Sequence, residues 1–237
     1  LRMTANGEPM GSVISVSDPI VDIHIDAQAA SWIDLDTIRI IQNGDEVAIV
    51  EVDGDVDGVT HLRPRIRIDA PRDCWIIAIA EGDEAMTPYV DEDDRQIFPL
   101  AIANPIFIDA DGDGKYTPPK VWAENIIASG DQATIVKTFN DVNPTEQSLL
   151  VMASNNKQMV ELGLKNKERI VRLAATRLAE QLKDPSIVPI LEKVITDEES
   201  DRYLAFSAWM AIDETDSDLG KTTLPAYVDR FGWEDAR

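Results

Sequence analysis

Apolar and polar residues alternate through much of the first half of the chain with the period of β-strands. In residues 21–27, and again in residues 62–68, apolar side chains share one face and polar side chains share the other. The polar face of the second segment carries three arginines. Pro64 interrupts that segment, and because proline has no N–H to donate to a ladder, it indicates an edge strand.

A hairpin and a central strand complete this pattern. Asn43-Gly44 separates two apolar runs and is a strong signal for a two-residue turn. Residues 73–80 are almost wholly apolar, which is typical of a central strand of a β-sandwich. With about seven or eight short strands joined by turn-rich segments, we predict two packed antiparallel sheets, an immunoglobulin-like β-sandwich, over residues 1–117.

The period changes after Pro118-Pro119. Residues 118–142 have no clear period, and we predict a connector there, in which residues 133–139 are a candidate for one further strand. From Pro144 onward the spacing of apolar residues is helical, which predicts a helical domain over residues 143–237.

The clearest helix spans residues 167–183. Its apolar stripe is formed by Ile170, Leu173, Ala174, Leu178 and Leu182. Asp184-Pro185 ends it, and residues 187–195 form a shorter partner. This arrangement resembles a HEAT-type repeat, and residues 201–208 repeat it more loosely. The resemblance implies helix pairs that stack on their neighbours, because each repeat needs a neighbour to cover its apolar face.

The overall charge narrows the range of partners. The 237 residues include 22 Lys and Arg against 44 Asp and Glu, a formal net charge of -22. Such a surface repels nucleic acid and anionic membranes, and it attracts divalent cations. The alternative explanation of this acidity is that it keeps the protein soluble or reflects a saline habitat. No apolar run approaches the roughly 20 residues of a membrane span.

The sharpest motif is the acidic loop at residues 109–117. Aspartates at alternating positions followed by glycine let a tight loop surround a cation of calcium's size. The predicted ligands are the carboxylates of Asp109, Asp111 and Asp113 and the backbone carbonyl of Lys115. Position twelve of a full EF-hand loop would be a glutamate, and here it is Lys120. A further ligand would therefore come from Glu124 or from water. The alternative is an Asp/Gly-rich turn without metal.

Other candidate chemistry is weaker. Acidic clusters at residues 53–58 and 91–94 are more typical of solvated loops. Cys74 is the single cysteine and sits in an apolar run, so we expect a buried thiol. His24 and His61 lack the spacing of a metal-binding pair and are predicted to lie on the surface. The sequence contains no glycine-rich phosphate loop and no G-x-S-x-G motif, so we expect no active site in this chain.

One segment resembles a known family. Residues 101–114, which run Ala-Ile-Ala-Asn-Pro-Ile-Phe-Ile-Asp-Ala-Asp-Gly-Asp-Gly, are similar to the end of carbaryl-hydrolase-like members of the PHP (polymerase and histidinol phosphatase-like) metal-dependent phosphoesterases. Residues 4–10 are similar to the short motif that follows the catalytic domain of those proteins. Residues 78–82 resemble another short motif of the same family. None of that domain's metal-binding histidines has a counterpart here.

The resemblance implies a non-catalytic accessory region whose partner is an upstream catalytic domain of the same polypeptide. A structural calcium ion would then stiffen the junction between the sandwich and the helical tail. The alternative is a stand-alone calcium-stabilised adhesion or ligand-binding module, which exposed tryptophans would favour. A weak calcium loop fills more readily at extracellular calcium concentrations, which slightly favours export over a cytoplasmic location.

Overall fold

The computed structural model describes residues 1–51, 60–86 and 96–232, with the side chains of Thr60 and His61 outside the description. The acidic clusters predicted at residues 53–58 and 91–94 also lie outside the described residues. The chain divides into two compact units, Leu1–Pro119 and Lys120–Arg237.

The described part of the first unit is built from strands. These are β1 (Arg2–Ala5), β2 (Glu8–Pro9), β3 (Val13–Ser15), β4 (Ile20–Ala29), β5 (Thr37–Gln42), β6 (Asp45–Glu51), β7 (Thr60–Leu62), β8 (Arg65–Asp69), β9 (Cys74–Glu81), β10 (Leu100–Ile102) and β11 (Ile106–Asp109).

The strands form two sheets. In the first sheet β4 is central, with β1 and then β2 on one side and with β7 and β8 in succession on the other. In the second sheet the order is β3-β11-β9-β5-β6, and β10 also pairs with β9. All pairings are antiparallel except that of β3 with β11. The predicted arrangement of two sheets followed by helices is therefore confirmed at this level, and in the described residues neither sheet closes into a barrel.

One hydrophobic core receives the inner faces of both sheets. The alternation in β4 buries Val21, Ile23 and Ile25, while β5 and β9 contribute Ile38 and Ile76 from the second sheet. Burying every second residue from each strand is what a two-layer packing of sheets requires. The polar residues that alternate with these buried residues along β4 lie on the outer face of the sheet.

Several local predictions are confirmed. Asn43 and Gly44 form the turn between β5 and β6 with φ of 50° and 96°, as a two-residue hairpin of this sequence requires. The apolar strand β9 lies between β5 and β11, and Cys74 within it is buried. Pro64 lies between β7 and β8 at an edge of the first sheet.

The second unit is helical in its described part. Its helices are α1 (Pro119–Ala128), α2 (Gln132–Asp141), α3 (Pro144–Ala153), α4 (Lys157–Leu164), α5 (Arg169–Leu182), the 3-10 turn Pro185–Ile187, α6 (Val188–Thr196), α7 (Arg202–Thr215) and α8 (Ser217–Phe231). No described helix has both the length and the apolar character that crossing a membrane would need.

The predicted strand at residues 133–139 is wrong, because α2 occupies this segment. Two helices, α1 and α2, fill residues 118–142 where a connector was predicted. Asp131 caps α2 by accepting a hydrogen bond from the Ala133 N–H. Ile135 and Phe139, four residues apart, lie on one buried face. The β-branched residues in this short segment suggested a strand, although the spacing of the buried pair is helical.

The buried face of α5 also differs from the prediction. Ile170, the first residue of the predicted stripe, is 46% exposed. Val171, Ala175 and Ala179 are buried together with Ala174 and Leu178. Helix α5 packs against α3, α4 and α7, so contacts from several directions widen and rotate its buried arc. A single stripe derived from the sequence could not anticipate this.

Candidate metal centre

Strand pairing brings two aspartates together at one end of the second sheet. In the antiparallel pair β9–β11, Cys74 lies opposite Ile108. Asp73 immediately precedes Cys74 and Asp109 immediately follows Ile108, so the two carboxylates project from neighbouring positions. On the other side of β11, Asp109 pairs with Ser15 of β3.

The Asp109 carboxylate is fully buried and accepts three hydrogen bonds. Ser15 Oγ donates to Asp109 Oδ2 at 2.5 Å, and the N–H groups of Gly114 and Gly112 donate to Oδ2 and Oδ1 at 2.9 and 2.8 Å. The Ser15 hydroxyl and these two N–H groups lower the pKa of Asp109 below its ordinary value, against the opposing effect of burial. The group is therefore a charged carboxylate in a buried position.

Asp73 fixes the two ends of the acidic loop. Its Oδ1 accepts from the Ala110 N–H at 2.8 Å, and its Oδ2 accepts from the Thr117 N–H at 2.7 Å. Within the loop, Gly112 and Gly114 have φ of 72° and 84°, a conformation that glycine adopts without steric cost. The loop therefore folds around the carboxylate of Asp109 at the end of β11 and that of Asp73, which immediately precedes β9.

Asp73, Asp109 and Asp111 form one group of carboxylates. Each offers an oxygen, and these oxygens all lie within 4.8 Å of one another. Two oxygens that bind the same calcium at 2.3–2.6 Å can be no more than about 5 Å apart, so this spacing suits one calcium ion. A carboxylate oxygen that accepts one hydrogen bond also has a second lone pair for a cation. The three residues therefore fit a hard cation.

The sequence identified two of these three residues. Asp109 and Asp111 were predicted, whereas Asp73 was missed because it is distant in the sequence and only strand pairing brings it close. The predicted ligand Asp113 is outside this group, and its Oδ1 accepts from the Lys115 N–H at 2.8 Å. The role predicted for the Lys115 carbonyl stays a prediction.

The proposed extra ligand Glu124 belongs to α1. It lies 3.8 Å from the ammonium of Lys120, an exposed pair one helical turn apart. Such a pair contributes little to stability. A ligand role for Glu124 stays a prediction.

A second acidic group was not recognised in the sequence. Asp34, Asp36 and Asp83 also offer oxygens within 4.8 Å of one another. Burial raises the pKa of Asp34, and the hydrogen bond with Asp36 and the nearby negative charges raise it further. Acidic groups near a surface are common without a metal, and this one lacks the buried charged carboxylate of the first.

Near the end of the acidic loop, the phenol of Tyr116 packs on the ring of Phe107, with ring centroids 4.8 Å apart. Burial first, and then the negative charges of Cys74 and Asp73, raise the pKa of Tyr116 to about 12. We therefore expect an alkaline absorbance titration of the chain to contain a step near pH 12 that belongs to Tyr116. In Tyr116→Phe that step should be missing, and an unchanged titration curve would contradict this placement.

The remaining candidates lie elsewhere on the chain. His24 is exposed on the outer face of β4, as predicted, and the His61 side chain is outside the description. Of the tryptophans in the described part, Trp32 is exposed at 47%, whereas Trp75, Trp122 and Trp209 are half-buried. Trp233 lies outside the described residues. This distribution does not group exposed aromatic rings into a ligand-binding surface.

Comparison with known proteins gives no relatives: no family model, no curated protein and no solved structure matches this chain.

Proposed function

We propose that this chain is a non-catalytic accessory region of a larger PHP-type metal-dependent hydrolase, and that a calcium ion stabilises its acidic loop. The observation that carries the calcium proposal is the group of Asp73, Asp109 and Asp111, in which a fully buried charged carboxylate lies beside two others. The resemblance of residues 101–114 to the end of such hydrolases supports the rest of the proposal.

The strand order supports an immunoglobulin-like sandwich for the first unit. In that fold the strands A, B and E share one sheet, and the strands C, F and G share the other. Strands β1, β4 and β8 correspond to A, B and E, and strands β5, β9 and β11 correspond to C, F and G. Sandwiches of this kind serve widely as non-catalytic modules, which is consistent with an accessory role.

Two rows of stacked helices support the HEAT-like interpretation of the second unit. Helices α3, α5 and α7 pack in succession in one row, and α4, α6 and α8 follow one another in the other row. The two rows contact each other mainly through α4–α5, α6–α7 and α7–α8. Thr176 and Ser207 join two of these helices through a hydrogen bond of 2.7 Å between hydroxyls. Arg230 donates to the backbone carbonyls of Ile195, Glu198 and Ser200. Repeats of this kind derive their stability from such neighbour contacts.

Calcium would act on the loop by relieving repulsion between its carboxylates. Three negative charges within one small group repel one another, and the chain's net charge of -22 adds to their potential. A cation bound between Asp73 and Asp111 would join the start of β9 to the loop after β11. The role proposed for the ion is therefore structural.

We expect calcium to raise the melting temperature of the first unit. Sites of extracellular modules have dissociation constants near 10⁻⁴–10⁻³ M, so about 10 mM calcium should raise the melting temperature by roughly 5–10 °C. The comparison is scanning calorimetry of the chain in calcium, in magnesium and in chelator. An identical melting temperature in all three would contradict the calcium proposal.

A pair of variants separates ion binding from general charge. Asp111 is exposed, and its Oδ1 accepts the Asp113 N–H, so Asp111→Asn should fold normally yet lose most of the calcium response. Asp229→Asn removes the same charge from an exposed position on α8 and should respond like the wild type. Equal responses in the two variants would indicate a general effect of ionic strength.

The relationship to a hydrolase has a separate test. Phosphoesterase activity with added manganese or zinc should be absent from the chain by itself and present when the proposed upstream domain is included. A domain rich in H-x-H motifs, encoded ahead of Leu1, would support the assignment. Turnover by the isolated chain would contradict the accessory role.

A further inference from the structure

Three rows of polar side chains cross the outer face of the first sheet. Strand pairing places Arg2 opposite Asp26, Thr4 opposite His24, and His24 opposite Arg65. Arg67 lies opposite Asp22 in the same register. Because directly paired residues of antiparallel strands point to the same face, each row brings side chains from up to three strands within reach of one another.

Each of the outer two rows contains an arginine–aspartate ion pair, and the middle row contains none in the described part of the chain. Arg67 Nε lies 2.9 Å from Asp22 Oδ1, and Arg63 Nε lies 3.4 Å from Asp26 Oδ2. In the middle row the corresponding residue of β4 is His24 in place of an aspartate. Throughout the described part of the chain, no carboxylate pairs with Arg65.

The sheet holds the middle row in a defined geometry. The Ile25 N–H donates to the Pro64 carbonyl at 3.1 Å, which makes these two residues a hydrogen-bonded pair. The neighbouring pair, His24 and Arg65, is then of the non-hydrogen-bonded kind, whose side chains approach most closely. The backbone register therefore places the side chains of His24 and Arg65 next to each other on the outer face of the sheet.

A groove runs over this row. It has a volume of about 280 Å³, and its lining includes Arg2, Thr4, His24 and Arg65. This volume is near the lower end of the roughly 300–1,000 Å³ that small-molecule sites occupy, so the groove suits a small ligand. The lining also includes Arg63 and Asp26, which pair at 3.4 Å, whereas no carboxylate in the described part of the chain pairs with Arg2 or Arg65. The groove therefore presents two positive charges without an ion-pair partner among the described residues, on a chain whose net charge is -22.

We propose that this groove binds a phosphate group. A phosphate dianion matches the local excess of two positive charges, and the planar guanidinium of Arg65 can bind two of its oxygens side by side. The Thr4 hydroxyl and a ring N–H of His24 face the same space and can donate to its other oxygens. A carboxylate matches the groove less well, because it offers only two oxygens in one plane and a single negative charge. This proposal is independent of the calcium proposal.

The test follows the imidazole signals of His24 by NMR in the full chain, assigned by comparison with His24→Gln. Inorganic phosphate, glycerol phosphate and acetate are titrated separately at constant ionic strength. We expect a saturable shift with a millimolar dissociation constant for inorganic phosphate, for glycerol phosphate or for both, and binding of acetate at least about tenfold weaker. Binding of both compounds would show that the groove recognises the phosphate group itself. Binding of only one would show whether the ligand is free phosphate or a phosphate monoester.

Two exposed arginines of the same strand provide the matched comparison. Arg65→Gln should weaken phosphate binding at least about tenfold, whereas Arg67→Gln, whose guanidinium already pairs with Asp22, should weaken it less than about threefold. Unchanged melting temperatures would show that both variants fold. The absence of a saturable shift up to about 50 mM phosphate, equal binding of acetate, or equal weakening in the two variants would overturn the proposal.

Discussion

Replacing Gly163 with valine is expected to destabilise the helical unit by about 3 kcal/mol, which corresponds to a fall in melting temperature of roughly 10 °C. The reason is the close approach of α4 to its neighbours. A Cβ atom built at Gly163 would lie 2.7 Å from the Ala175 Cβ and 3.3 Å from Val151 Cγ2. Both neighbours belong to buried helix segments, so neither can move away cheaply.

Urea denaturation of Gly163→Val measures this cost. Glu161→Val is the control, because it introduces valine into the same helix at a half-exposed position and should cost less than about 1 kcal/mol. Adding Ala175→Gly to Gly163→Val removes the nearest clashing atom, and the pair should show a favourable coupling of at least about 1 kcal/mol. Additive effects of the two substitutions would mean that the helices are not in contact at this point.

This interface illustrates how far the sequence could predict the helical unit. Pro144 and the stripe in residues 167–183 predicted α3 and α5, because a helix start and a helical period are local signals. Gly163 carries no such signal. Its importance comes from Ala175 on the next helix, and the sequence does not reveal which helices approach closely enough to require glycine.

The candidate sites also combine residues that a local sequence pattern predicts with residues that only strand pairing brings into place. Asp109 and Asp111 were predicted because a calcium-type loop is a local pattern with a fixed spacing. Asp73 was missed because its proximity depends on the pairing of β9 with β11. The alternation along β4 placed His24 correctly on the surface. The pairing of Arg65 with His24, and not with an aspartate of β4, follows from the register between two strands, which alternation alone does not specify.

Asp109→Ala is expected to lower the melting temperature of the first unit by about 10 °C or more, even in chelator. The substitution removes the acceptor for the Ser15 hydroxyl and for the N–H groups of Gly112 and Gly114. At a position that is fully buried, these donors would have no replacement partner among the described residues. Scanning calorimetry in chelator measures this structural contribution separately from any contribution of calcium.

The pH dependence of the same effect has a definite sign. Because the pKa of Asp109 is lowered in the folded state, its charged form contributes stability at pH values above the ordinary value of 3.8. That contribution is lost as the pH falls through the lowered pKa. The difference in unfolding free energy between the wild type and Asp109→Asn should therefore be constant near neutral pH and should shrink as the pH falls below 3.8.

Asp113→Asn is the matched control for this experiment, because it removes one carboxylate charge from the same loop. Asp113 is exposed, and its Oδ1 accepts the Lys115 N–H, so the variant should melt within about 2 °C of the wild type. A large loss at Asp109 together with a small one at Asp113 would mean that the loop depends on a single buried carboxylate. Equal losses would instead mean that the aspartates act through their summed charge, and the buried hydrogen bonds of Asp109 would then have no special part in holding the loop.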